Sequence, residues 1–151
     1  MKIFFIQNNV EGLLSALFYS FVAKVVPDEV TDVEIYQQKI DDEITYIKTD
    51  AAQAERVQTA LTRYGGYDII RRLKNCMLSC DENATSTAFR YAYKTLFFKK
   101  DISGNLADPT VAQFVFTEQK VLTERHHIIG FLRFRESAEA LFTRAFLPIT
   151  T

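Results

Sequence analysis

The sequence predicts an α+β domain, with about five helices packed with a small antiparallel β-sheet and a C-terminal β-hairpin. Three observations predict it. Apolar residues recur at helical spacing in five segments, each bounded by a cap or a breaker. Alternation of apolar and polar residues is confined to short runs near residues 44–48 and 131–147. The chain has 151 residues, 48% hydrophobic and 25% charged, which is enough for one real core without disulfides or metals.

Residues 2–7 form a short apolar run, read as a buried strand. Val10, Leu13, Leu14, Leu17, Phe18, Phe21, Val22 and Val25 then trace one helical face. Asn8 with Glu11 resembles a capping box, and Pro27 stops the helix. Residues 33–48 read as extended, best at Ile44 to Lys48. A second helix runs from the N-cap Asp50 to Gly65, with Ala54, Val57, Leu61 and Tyr64 inward. A third runs from Asp68 to Cys80, and a fourth from Ser86 to Lys100 with Ala88, Phe89, Ala92, Tyr93, Leu96 and Phe97 inward. Residues 101–107 form a loop, and Asp108-Pro109 opens a fifth helix to about Ile128. Its inward arc holds Val111, Phe114, Val115, Val121, Leu122 and Ile129, with Glu118 and Arg125 in the middle. Two strands follow, 131–136 and 141–147, around a turn at Ser137–Ala140.

With 18 Lys+Arg against 19 Asp+Glu the net charge is −1, which excludes a strongly basic nucleic-acid binder but not a local basic patch. The aromatic content is 13 Phe and 7 Tyr with no Trp. Cys76 and Cys80 lie on one helix and point the same way, so they are read as reduced, metal-free core thiols. No run reaches the ~18 apolar residues of a membrane span, and the opening apolar run, ended by Gln7, Asn8 and Asn9, reads as too short for a signal peptide. The expectation is a soluble cytoplasmic protein without membrane contact, bound metal or cofactor.

Gly-rich phosphate loops, nucleophile elbows and zinc-protease motifs are absent from the sequence. The densest chemistry lies in Glu124-Arg125-His126-His127. Glu124 and His126 are the catalytic candidates, because imidazole titrates near neutrality beside a carboxylate. Equally, the two His suit a helix C-terminus, where the dipole favours a cation. His126 borders the inward arc, whereas His127 points away. Glu118 and Arg125 each need a partner elsewhere, in either a wet cleft or a buried polar network.

In the hairpin, alternation gathers Phe131, Arg133, Arg135, Phe142, Arg144 and Phe146 on one face. Arg133 opposite Arg144 invites an anion between them. Aromatic rings interleaved with Arg can stack bases and hold phosphates, so these six residues are the nucleic-acid-binding candidates. A sheet covered on both sides, with its Arg paired to Glu118, Glu124 or Glu136, remains the alternative.

The run Glu124, His126, Gly130-Phe131-Leu132-Arg133-Phe134 resembles the signature of a bacterial family of DNA-metabolism (DNA-repair) proteins, a domain of unknown function. Glu11-Gly12-Leu13-Leu14 with Ala16 and Phe18 fits as well, as do Thr49-Asp50 before Ala54, Arg56-Val57 and Leu61, and Asp108-Pro109 with Val111. The resemblance implies an accessory DNA-metabolism domain. Its partners would be DNA, single-stranded or damaged, and a DNA-acting radical-SAM protein. Some family members are fused to a uracil-DNA-glycosylase-like domain. The chain cannot itself be the radical enzyme, because Cys76 and Cys80 lack a third nearby cysteine. Position 127 is His where the family tends to have Arg. The family also usually continues into a further C-terminal segment, so residues 1–151 read as a single domain without that extension. Two rival functions stay open: an enzyme acting on a DNA base or phosphodiester through Glu124 and His126, and a protein-interaction module with no nucleic-acid binding.

Overall fold

The computed structural model describes residues 1–32, 41–79 and 81–124. The elements run β1 (Lys2–Phe5), α1 (Val10–Ala23), β2 (Glu29–Thr31), β3 (Glu43–Tyr46), α2 (Ala51–Gly65), α3 (Ile69–Met77) and α4 (Ala84–Phe98). A fifth helix, α5, starts at residue 109 and is helical through 124, where the described residues end.

The α+β class and the five helices hold, but the sheet is corrected. Central β1 pairs in parallel with both neighbours, Phe4 lying opposite Val30 of β2 and Thr45 of β3. Every pairing among the described residues is parallel, not antiparallel, and the described sheet is built from residues 2–46. The hairpin residues, 131–147, lie outside the described residues. The physical reason is the connection: α1 carries the chain back along β1, so β2 can only enter in the same direction. β1 also has the unbroken apolar run of a strand buried on both faces, and Ile3, Phe4, Phe5 and Ile6 are all buried.

The open edge of β2 is covered by α4. Ser86 Oγ accepts from the Val30 amide at 2.9 Å and donates to the Val30 carbonyl at 3.0 Å, taking the place of a further strand. On the other side, the Ser15 hydroxyl of α1 accepts from the Asp50 amide at 3.0 Å, tying α1 to the start of α2.

The caps follow the sequence with small shifts. Asn9, not Asn8, caps α1, its Oδ1 accepting from Gly12 N at 2.7 Å. Gly12 is required there, because a Cβ would collide with the Gln7 carbonyl oxygen. Asp50 caps α2 through the amides of Ala52 and Gln53. Gly66, at φ 98°, closes that helix one residue later than expected. α1 ends at Ala23, before Pro27 can act.

The core gathers Phe4, Leu13, Leu14, Leu17, Leu61, Leu73, Tyr91 and Phe114, among others. Four residues expected inside are exposed: Phe21 and Val22 of α1, Phe97 of α4 and Leu122 of α5. The buried arcs are rotated because small residues set the close approach. Ser15, Ala16 and Ser20 face in on α1, and Ala88, Ala92 and Thr95 on α4. Two of the hydroxyls are satisfied locally, Ser20 donating to the Val25 carbonyl at 2.6 Å and Thr95 to Tyr91 O at 3.0 Å.

Candidate nucleic-acid interface

His126 and the six hairpin candidates, Phe131, Arg133, Arg135, Phe142, Arg144 and Phe146, lie outside the described residues, as does Cys80. Glu124 is exposed at the last described position of α5. Cys76 is buried as expected, its thiol donating to the Ala84 carbonyl. Burial, with Glu118 and Asp81 nearby, pushes its pKa up to about 12, so it is no nucleophile at neutral pH.

Glu118 belongs to a buried polar network, not a cleft. Arg72 Nε of α3 donates to both Glu118 oxygens at 3.1 and 2.9 Å. The guanidinium also lies over the rings of Tyr91 and Phe114, which stack at 3.9 Å with 6° between planes. Burial, the largest single influence, would lower the Arg72 pKa, but attraction to Glu118, the hydrogen bonds to it and the weaker pull of Tyr91 and Asp68 together outweigh burial and hold the cation above its ordinary value.

The surface with chemistry to offer lies where α1 and α4 end together. On α4, Phe89, Tyr93 and Phe97 fall four residues apart and so share a face. Their rings are nearly parallel, with centroids 6.3 and 6.1 Å apart and 19° and 15° between planes. Phe21 of α1 stacks on Tyr93 at 4.8 Å and 15°, and Phe98 meets Phe97 edge-on at 5.2 Å. Phe89, Tyr93, Phe97 and Phe98 wall an open cavity of about 400 Å³ together with Val26, Pro27 and Thr110, with Arg90 and Lys94 also in its lining. Phe97 is 60% and Phe98 53% exposed, far beyond what a core position would show.

The two cations differ. Lys94 Nζ donates to both oxygens of Asp108 at 3.0 and 2.9 Å. That bond, with the Thr110 amide at the α5 N-terminus, holds the Asp108 carboxyl below the usual range. Arg90 donates to the Asp28 backbone carbonyl at 2.7 Å, and among the described residues no carboxylate lies within ion-pair distance of it. Lys24 and Lys99, which follow the two aromatic helix ends, adopt left-handed backbone at φ 56° and 53°. Glycine usually takes that position, while a cation suits the C-terminal end of the dipole.

Sequence reasoning placed Phe21 and Phe97 in the core and so missed this surface. The signal was present: basic residues at 90 and 94 directly follow aromatics at 89 and 93, and Lys99-Lys100 follow Phe97-Phe98. A second cavity, about 350 Å³ beside Asn8, Asn9 and Lys74, has no aromatic ring in its described lining.

Residues 82–150 match the family model of a domain of unknown function, DUF4130. The match takes in α4 with its aromatic ladder, Glu124, His126 and all six hairpin candidates. No curated protein and no solved structure matches the chain.

Proposed function

We propose that this protein is an accessory DNA-metabolism domain that binds nucleic acid through the aromatic groove that α4 lines together with Val26, Pro27 and Thr110. The observation that carries the reading is the ladder Phe21–Tyr93–Phe97 with Arg90 and Lys94 at its side. Stacked rings next to cations supply the two interactions single strands need, a surface for base faces and a charge for phosphates. A bare Phe/Tyr patch would fit a protein-docking module better, but here Arg90 and Lys94 line the same cavity as the rings, and Lys99-Lys100 directly follow Phe97-Phe98 in the chain. The resemblance of residues 124–134 supports a bacterial, cytoplasmic DNA-repair setting with a DNA-acting radical-SAM protein as partner. The described residues contain no helix long and apolar enough to cross a membrane.

The test is fluorescence anisotropy with a labelled single-stranded oligonucleotide between about 50 and 200 mM salt. Binding that weakens as salt rises, and that is lost when Arg90 and Phe97 are both replaced by Ala, is the expected outcome. Undiminished binding by the folded double variant would move the interface elsewhere.

A further inference from the structure

We infer that the groove takes one unstacked base of a single strand, laid against Phe97 and Tyr93, while Arg90 holds the adjacent phosphate. This rests on the nucleic-acid reading and goes beyond it by naming the strand form and the contacts.

Three observations carry it. First, ring geometry: Phe97 stacks on Tyr93 yet is 60% exposed, so it can receive a planar partner. A duplex offers such a partner only at its ends, because its base faces are already stacked; a single strand offers one at every base. Second, shape: the cavity of about 400 Å³ is concave and has the size of small-ligand pockets. A base with its sugar can enter it, and the convex, charged backbone of a duplex cannot. Third, charge: Lys94 is neutralised by Asp108, which leaves Arg90 as the groove cation without a carboxylate beside it among the described residues. With Lys99 and Lys100 directly following Phe98 in sequence and a net charge of −1, the protein can neutralise few phosphates. The binding should therefore be stacking-dominated, with a salt slope of roughly −1 to −2, against the ~0.7 per phosphate of single strands.

The chain has no tryptophan, so Phe97→Trp places a sole indole fluorophore inside the groove. The probes are an oligothymidylate of about ten nucleotides, the same backbone made abasic, and a duplex of equal length. The oligothymidylate should bind tightest and quench the indole fluorescence of the Phe97→Trp variant. Phe97→Ala should weaken binding about 5- to 150-fold with the salt slope unchanged. Arg90→Ala should weaken it and flatten the slope by about 0.7. Abasic or duplex probes binding as well as the oligothymidylate, or an unquenched indole at saturation, would overturn the base-in-groove inference and leave the broader reading standing. No binding of any probe at low salt would overturn both. Because Phe97→Trp keeps an aromatic ring on an exposed site, the test survives even if Phe97→Ala fails to fold.

Discussion

Replacing Glu118 by Gln removes the carboxylate that neutralises Arg72 while keeping its shape. The Arg72 and Glu118 side chains are 20% and 13% exposed, so the pair is mostly dry but not sealed. Breaking a fully buried pair costs ~3–5 kcal/mol, and a charged hydrogen bond is worth ~1.5–3. The residual water access and the cation–π contacts to Tyr91 and Phe114 soften the loss, which places it at about 2–3 kcal/mol. For a chain of this size that lowers Tm by roughly 4–12 °C. Urea unfolding should show a lower midpoint with an unchanged slope. The double variant Arg72→Met/Glu118→Leu should recover most of the stability, since apolar replacement of a buried pair is often neutral or better. A cost below ~0.5 kcal/mol for Glu118→Gln would mean that the pair behaves as a surface ion pair and that α5 is held by its apolar contacts alone.

Three further outcomes follow from the structure. Lys99→Gly relieves a left-handed backbone costing ~1–2 kcal/mol and adds glycine's ~0.5–1 of chain entropy, so thermal unfolding should show a net gain of about 0.5–1 kcal/mol. Asp108 has a depressed pKa in the folded state, so its stabilisation is present above the ordinary value near 3.9 and is lost as pH falls through the folded one. Unfolding measured across pH 2–6 should therefore show a shallower acid limb for Asp108→Asn than for the parent. Cys76, raised to about 12, should resist thiol reagents at pH 8 until the chain unfolds, and rapid labelling of the folded protein would contradict its burial.

How much of this was legible in the sequence depends on the kind of signal. The helices announced themselves through Asp50, Asp108-Pro109 and the apolar repeats, and Ala54, Val57, Leu61, Val111 and Phe114 are buried as expected. β2 was not legible, because three residues, Glu29-Val30-Thr31, are too few to show alternation. The parallel sheet could have been read from the unbroken Ile3–Ile6 run followed by a helix, a pattern that alternation-based reasoning passes over. The groove was hidden by the habit of counting every Phe as core. On α1 and α4 the small residues Ala16, Ser20, Ala88 and Ala92 took the inward positions and turned the rings of Phe21 and Phe97 outward. Glu118 signalled a buried partner from its place in the arc, but only the fold could name Arg72, 46 positions away in sequence.

The central claim is that nucleic acid lies against the ends of α1 and α4. Backbone amide shifts of the isotope-labelled full chain, followed by NMR while an oligothymidylate is titrated in, test it most directly. The account predicts that the largest shifts fall on residues 21–26, 89–98 and 110, the cavity wall around Arg90, Tyr93 and Phe97 and the end of α1 where Phe21 stacks on Tyr93. Shifts concentrated instead on α2 or around Asn9 and Lys74, with the α1 and α4 ends unmoved at saturation, would contradict it.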